Sequence, residues 1–304
     1  MVEYDVRKVL RVGMKSVAIT IPKKWARELG LEPGSSVDVI FDGNRIVVKP
    51  QRRSESEEEM NIFIEVKGSI DTALRKLIAS YIEGVTRVRI KASYSEAIEL
   101  GEKLKECIPL AVVVAKPGSM YHDVIFTDYG INLRDILDKL ASTTLEALSK
   151  IERGEDSELS KLYQDFIKSY ALCMRIAKRI LVEGAEQPLD VVDSIIFTRY
   201  LREIIELLTH NGVHISNNLS YRTLLSVIDF VKTAIRSYIE NDIDTSLRLL
   251  EKANTVINAD EVRDPERRRA IEKLRDSALN IAELSLERCI RNKACRCRYF
   301  YPKI

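Results

Sequence analysis

Residues 17–34 have the sequence VAITIPKKWARELGLEPG, and this stretch decides the fold expected for the start of the chain. Its β-branched residues predict a strand that ends at Ile21. Pro22 suits the first turn of the short helix predicted over 23–29, and Gly30 suits the end of that helix. Further strands are predicted over 6–12, 36–41 and 45–48, with Asp42-Gly43-Asn44 as the tight turn between the last two.

The N-terminal segment, residues 1–53, is too small and too poor in apolar side chains to bury much surface alone. We therefore expect a homodimer in which exchanged strands complete the core. The segment holds eleven basic and six acidic residues, whereas the whole chain has a net charge of only +2. Concentrated positive charge favours a polyanionic partner because phosphate contacts release counterions, although a merely solvated basic face has the same composition.

The same segment contains VRKV at 6–9, GMKS at 13–16, ITIPKK at 19–24, LGLEPG at 29–34 and DGNRIVV at 42–48. With these motifs it resembles the AbrB/SpoVT family over nearly all of the first fifty residues. The resemblance implies a swapped-hairpin dimer that binds double-stranded DNA through basic side chains and often recognises DNA shape. Ala26 stands where the family has a second arginine beside Arg27, which weakens that part of the contact surface unless nearby lysines compensate. The candidate DNA-binding residues are Arg7, Lys8, Arg11, Lys15, Lys23, Lys24 and Arg27.

The polar run SESEEE at 54–59 has nothing apolar to bury and predicts a solvated linker over 54–60. A small α/β domain is expected over 61–129, because strand and helix patterns alternate there in the order of an open sheet with crossover helices. The segment Lys67-Gly68-Ser69 lacks the other positions of a phosphate-binding loop. We interpret this domain as a connector or a ligand-modulated module. Its strands are predicted over 61–66, 85–91, 110–114 and 124–126, and its helices over 69–83 and 95–107.

From residue 132 to 297, apolar residues recur at the three-and-four spacing of amphipathic helices. Glycine, proline and asparagine clusters divide this region into about six helices. We expect tandem three-helix bundles over 130–217 and 218–297, followed by a tail over 298–304. The predicted fold class is therefore a multidomain α+β protein with an N-terminal swapped-hairpin β module, a small central α/β sheet and C-terminal all-α bundles.

The sequence EKLRDSALNIAE at 272–283 places Glu272, Asp276, Asn280 and Glu283 on one helix face. Such a row suits ordinary surface solvation, and it also suits a site for multivalent cations. The stretch is similar to the repeat signature of the PhoU family. That resemblance implies two tandem three-helix bundles with metal-cluster sites, and a partner role in phosphate uptake and its signalling.

A second copy of the motif is expected because the family has two. Glu206, His210 and His214 have the same spacing, and glutamate with two imidazoles suits iron or zinc. Asp165 is a candidate further ligand here, whereas Glu251 and Asn254 are alternatives for the Glu272 row, where magnesium is also a candidate. Against this second site, Asn211-Gly212 indicates a helix stop, and a histidine is more often structural than a ligand.

No catalytic constellation is evident, because the three histidines lack a motif that supplies a nucleophilic partner. Cys289, Cys295 and Cys297 provide one ligand too few for a zinc site, so inert thiols or a disulfide remain alternatives. The apolar runs are shorter than the roughly 20 residues that cross a bilayer, and the first residues are charged. We expect a cytoplasmic protein that is not an enzyme and does not insert into membranes.

Together these features predict a dimeric DNA-binding regulator of phosphate uptake and homeostasis, with a helical module that senses phosphate status or binds a partner. One alternative is an adaptor that acts on a phosphate transporter or its signalling partner, with the basic module serving only to dimerise. A metal-dependent enzyme is a further alternative.

Overall fold

The structure is a computed structural model that describes residues 4–41, 46–50, 62–66, 69–127, 130–184, 187–218, 221–256 and 265–291. The chain divides into two compact units, Met1–Glu58 and Glu59–Ile304. Several sequence predictions lie outside the described residues: the turn at 42–44, the linker over 54–60, Cys295, Cys297 and the tail over 298–304.

The N-terminal unit contains two antiparallel hairpins with a short helix between them in sequence. In the first hairpin β1 starts at Val9 rather than at the predicted Val6. Its partner strand ends at Ile19, shortly before Pro22, which has no N–H to donate to a ladder. The elements are β1 (Val9–Val12), β2 (Ser16–Ile19), α1 (Lys23–Glu28), β3 (Val37–Phe41) and β4 (Ile46–Pro50).

The second unit begins with a four-stranded sheet of order β5-β6-β8-β7, in which β5 and β6 are parallel and the other pairs are antiparallel. The prediction of a small sheet with helices is confirmed, but crossover connections throughout are not. Only six residues, 115–120, separate β7 from β8, and a parallel crossover needs about a dozen or more. The elements are β5 (Ile62–Glu65), α2 (Ile70–Ile82), β6 (Arg87–Lys91), α3 (Tyr94–Cys107), β7 (Ala111–Val114) and β8 (Tyr121–Phe126).

Local hydrogen bonds explain where the two helices of this sheet begin. The Ser69 hydroxyl accepts a hydrogen bond from the N–H of Asp71, so Ser69 is the N-cap of α2, as predicted. Helix α3 starts at Tyr94, one residue earlier than predicted, because Ser93 and Glu96 form a reciprocal capping box. The hydrogen bonds from Ser93 hold the pKa of the Glu96 carboxyl below its usual value.

The rest of the described chain is helical, and its breaks lie where glycine, proline and asparagine predict them. The contacts define two sets: α4, α5 and α6 contact one another, as do α7, α8 and α9, and the pairs α6–α9 and α4–α7 join the sets. The predicted stop at Asn211-Gly212 is wrong, because α6 continues to Asn218; one glycine in a long helix costs only about 1 kcal/mol. The helices are α4 (Leu133–Arg153), α5 (Leu159–Glu183), α6 (Pro188–Asn218), α7 (Tyr221–Glu240), α8 (Ile243–Val256) and α9 (Pro265–Arg291).

Buried side chains form two hydrophobic clusters, both in the second unit. One lies among the helices α4–α9, and the other lies between α2, α3 and one face of the sheet. Helix α5 links them, because Ala171 belongs to the sheet cluster and the buried Arg175 donates hydrogen bonds to the carbonyls of Tyr81 and Val85. None of the helices in the described ranges has an apolar segment long enough to span a bilayer.

Candidate nucleic-acid interface and candidate metal centres

The seven candidate DNA-binding cations all lie at the surface of the N-terminal unit, and all are exposed. Arg7 and Lys8 precede β1, Arg11 lies on β1, Lys15 lies in the turn before β2, and the remaining three lie on α1. The cations are therefore concentrated on the first hairpin and the helix that follows it. The second hairpin contributes none of the seven.

Three of these cations have described contacts with protein groups, all at exposed positions. Arg7 forms an ion pair with Asp5, and the Arg11 Nε donates to the Gly13 carbonyl at 3.2 Å. The Lys24 Nζ is 3.9 Å from a carboxylate oxygen of Glu28. Exposed pairs of this kind contribute about 1 kcal/mol or less, so a phosphate group can replace the protein partner at little cost.

The hairpins of this unit show no core among the side chains whose burial the structure describes. None of the residues between 4 and 50 whose burial is described is buried. Val17, Val39 and Phe41 are 70%, 64% and 71% exposed, although each lies on a strand. An isolated hairpin is marginal in water, so these strands need another apolar surface to be stable.

The predicted metal row on α9 lies at the helix surface. Glu272 and Asn280 are half-buried, whereas Asp276 and Glu283 are exposed. Arg275 donates a hydrogen bond to the Asp276 carboxylate at 3.1 Å, so this carboxylate already has a cationic partner. In the part of the chain that the structure describes, no group of three or more His, Cys, Asp or Glu side chains is placed to hold a metal ion.

The second predicted row lies on α6 and is engaged in a network with α5. The Glu206 carboxylate accepts hydrogen bonds from Arg202 at 2.8 Å and from the Tyr163 hydroxyl at 3.4 Å. The Nδ1–H of His210 donates to the Glu206 backbone carbonyl at 2.7 Å. Burial and the charge of Glu206 raise the pKa of Tyr163. Asp165 is exposed on α5, and the side chain of His214 lies outside the part of the chain that the structure describes.

The third histidine and the described cysteine of the C-terminal cluster have structural partners. His122 is buried: its Nδ1 accepts from the backbone N–H of Lys116 at 3.1 Å, and its Nε2–H donates to the Ala92 carbonyl at 3.1 Å. Cys289 is buried on α9, and its thiol donates to the side-chain oxygen of Asn241 at 3.2 Å. His122 therefore fixes the connection before β8, and Cys289 helps fix the turn between α7 and α8.

Sequence reasoning missed a polar and aromatic surface on the four-stranded sheet. We name it the open sheet face; it is the face opposite α2 and α3. Adjacent strands bring its residues into rows, because directly opposed residues share a face. The signal was the alternation in Arg87–Lys91, whose Val88 and Ile90 are fully buried. The rows are Phe63, Arg89, Asp123 and Val114; Glu65, Lys91 and Tyr121; and Arg87, Ile125 and Val112.

Asp123 organises the cations of this face. Its carboxylate accepts hydrogen bonds from Arg87 and Arg89, both at 3.2 Å, and lies 3.6 Å from the Lys116 ammonium. Burial raises the pKa of the Asp123 carboxyl, but the bonds from Arg89 and Arg87 outweigh burial and hold that pKa below its usual value. Asp123 is thus a charged group that positions three cations.

Comparison with known proteins finds a similarity in the N-terminal segment only. Residues 10–56 match the model of a family described as MazE, the bacterial antitoxin of antidote–toxin recognition. No curated protein and no solved structure matches the chain. The match supports the AbrB-like swapped-hairpin assignment for this segment, while the PhoU resemblance of the helices stays a prediction.

Proposed function

We propose that this chain is a homodimeric, DNA-binding regulator. Two N-terminal units pair through their hairpins and present their cations to the phosphate backbone of a duplex. One observation carries the proposal: the N-terminal unit, most of which matches an antitoxin family, has strands with exposed apolar side chains and seven exposed cations. A second copy would cover the strands and double the positive charge.

The charge of the dimer would dominate its affinity for DNA. Residues 1–53 have a net charge of +5, so two copies have about +10. Each phosphate contact releases a condensed counterion, which makes binding weaken steeply with salt. Contacts of this type position the protein, and selectivity then comes from DNA shape and deformability.

A salt titration of the full chain with duplex DNA tests the proposal. The triple variant Arg7→Gln, Lys8→Gln, Lys15→Gln removes up to six contacts per dimer, so the slope of log affinity against log salt should fall by about 5. The matched control is Lys105→Gln, Lys139→Gln, Lys161→Gln, which removes three exposed cations of the second unit. Equal slopes for the parent and the triple variant, with the dimer intact, would contradict the proposal.

For the helical part we propose a PhoU-like tandem-bundle module that couples phosphate homeostasis to DNA binding. The two sets of three mutually contacting helices and the acidic row on α9 support it. An effector changes DNA affinity only if it binds the two states differently. The proposal assigns no catalytic step to the chain.

Measuring DNA affinity during titration with phosphate, magnesium, zinc and iron tests this coupling, beside elemental analysis of the purified protein. Glu272→Gln with Asp276→Asn should abolish a metal response, whereas Glu287→Gln, an exposed change on the same helix, should leave it. If none of these effectors changes the affinity for DNA, the proposed sensing role is wrong. If the chain dimerises but ignores DNA at low salt, the alternative of an adaptor for a phosphate transporter is favoured.

A second candidate is an antitoxin-type regulator, favoured by the family that residues 10–56 match. The N-terminal dimer would then bind a toxin protein as well as DNA. This role predicts a stoichiometric complex in which the chain suppresses the growth inhibition caused by its partner. The triple variant separates the two functions if it loses DNA and keeps the complex.

A further inference from the structure

We propose that the open sheet face binds single-stranded nucleic acid. The juxtaposition of two exposed aromatic rings with four cations on or beside one sheet surface carries this inference. It concerns the second unit alone and does not depend on duplex binding by the N-terminal unit.

The aromatic pair lies at one side of the face. Phe63 and Tyr121 are 53% and 50% exposed, with ring centroids 6.2 Å apart and ring planes inclined by 44°. Exposed rings on a sheet are platforms for bases, because every base has a π face that can stack on them. Neighbouring strands are about 4.8 Å apart, so four strands offer a platform wide enough for several nucleotides.

The cations flank these rings. Arg87, Arg89 and Lys116 surround Asp123, and the Lys91 ammonium is 3.0 Å from the Glu65 carboxylate. Four cations against two carboxylates give the face a net charge of +2. The Arg89 and Lys116 side chains are more than half exposed, so a backbone phosphate can reach both.

Charge and shape together favour a nucleic acid over other occupants. A second copy of the same face would bring one positive surface against another, which is repulsive. An acidic peptide would pair with the cations but would make no specific use of the rings. Bases stack while phosphates pair, so a single strand uses both features, and the apolar side chains of Val112, Val114 and Ile125 can contact base edges.

The experiment uses the full chain with Arg7→Gln, Lys8→Gln and Lys15→Gln as background, so that N-terminal cations do not mask the sheet. Fluorescein-labelled oligo(U) and oligo(dT) of about 12 nucleotides are titrated at low salt and followed by anisotropy. Phe63→Leu with Tyr121→Leu keeps apolar area but removes both rings, and should weaken binding roughly tenfold or more. Tyr94→Leu, which removes an equally exposed ring on α3, is the control and should change nothing.

A second pair of variants tests the cations. Arg89→Gln with Lys116→Gln should lower the slope of log affinity against log salt by about 1.4, as expected for two lost contacts to a single strand. Lys103→Gln with Lys105→Gln, on α3, is the matched control. Photocrosslinking to iodouridine-substituted oligonucleotide should label the peptide that contains Tyr121. Comparison of oligo(U) with oligo(dT) distinguishes RNA from DNA as the source of the strand.

Four results would overturn the proposal. The first is that the background protein does not bind single strands. The second is that the leucine variant binds them as tightly as its parent. An acidic peptide such as oligoglutamate could bind where oligonucleotides do not, which would assign the face to a protein. A leucine variant whose only defect is a smaller oligomer in sedimentation would assign the face to a second copy.

Discussion

The two units of this protein differ in how much of their own apolar surface they cover. In the second unit, helices and sheet enclose two clusters of buried side chains, with Phe197 and Tyr238 stacked at 3.9 Å between ring centroids. In the N-terminal unit, strands with comparable β-branched sequences expose Val39 and Phe41 almost as fully as loop residues. The second unit completes its core within one chain, and we propose that a second copy completes the N-terminal unit.

This difference makes the N-terminal unit suited to regulation. A fold completed by association is stable only where the copies meet, so its stability depends on protein concentration and on ligands that bind the dimer. DNA that contacts both copies would favour the paired state by mass action. The second unit has its own buried clusters, so we expect substitutions in the two units to have separable effects.

The largest effect should come from truncating a buried ring in the second unit. Phe197 is fully buried, and Phe197→Ala should lower the free energy of unfolding by about 3–5 kcal/mol, because the variant loses both transfer energy and packing. Denaturant titration followed by helical circular dichroism measures the change. Val182→Ala, at a position 88% exposed on α5, is the control and should stay within about 0.5 kcal/mol. A small effect at Phe197 would mean that this core is not the one that stabilises the unit.

The next largest effect should be on the free energy of dimerisation, and the unfolding of the second unit should not change. Val39→Asp places a charge on β3, where we expect a partner chain, and should weaken dimerisation by about 2 kcal/mol or more per copy. Sedimentation measures the dimer, and the helical unfolding transition should stay unchanged. Asp38→Asn, at the adjacent exposed position, is the control. A variant that stays dimeric would contradict the proposal that β3 packs against a partner chain.

The boundaries of the elements follow from residues close in sequence, so sequence predicts them well. Gly154, Gly184 and Pro188 mark the ends of α4 and α5 and the start of α6. Asn211-Gly212 failed as a stop because neighbouring helices α4, α5 and α9 stabilise α6 through tertiary contacts, which no local propensity includes.

The candidate sites were harder to predict because they depend on residues distant in sequence. The open sheet face exists only because the register sets Arg89 opposite Asp123, 34 residues later, and opposite Phe63 on the other side. A row of acids such as Glu272 and Asp276 can be read from helical spacing, but a metal site needs ligands from further helices. Those ligands depend on which helices pack together, and the spacing of residues within one helix does not show this.

A smaller loss of stability is expected when the open sheet face of the second unit loses the Asp123 carboxylate. Asp123→Asn removes the charge that positions Arg87 and Arg89, and should cost about 2 kcal/mol of unfolding free energy at neutral pH. Because the folded pKa of Asp123 is lowered, its stabilisation is present above the unfolded pKa of about 3.9 and is lost as pH falls through the lower folded pKa.

The difference in stability between parent and Asp123→Asn should therefore be constant from pH 7 to about pH 5 and shrink below about pH 4. Denaturant titrations at matched pH values measure it. Asp71→Asn, which removes an exposed partner of Lys103, is the control and should show a much smaller difference. A difference that grows as pH falls would mean that the arginines do not stabilise the charged form of Asp123.

The smallest effect is expected at two glycines that have the same backbone conformation and lie in different units. Gly13 and Gly154 have φ angles of +66° and +69°, a region that costs an L residue about 1 kcal/mol or slightly more. Gly154 ends α4 within the second unit, whereas Gly13 lies in the turn of the first hairpin. The local strain of an added methyl group should thus be alike at both glycines, because the space that the methyl group would enter is open to 4 Å in each case.

We expect Gly154→Ala to lower the free energy of helical unfolding by about 1 kcal/mol and to leave dimerisation unchanged. Gly13→Ala should leave that transition unchanged, and should weaken dimerisation and duplex binding about fivefold or more, since two strained turns enter each dimer. Parallel unfolding, sedimentation and anisotropy measurements on the two variants make the comparison. If Gly13→Ala shifts the helical transition as much as Gly154→Ala does, the two units unfold together, and the N-terminal hairpins derive their stability from the helices and not from a second copy.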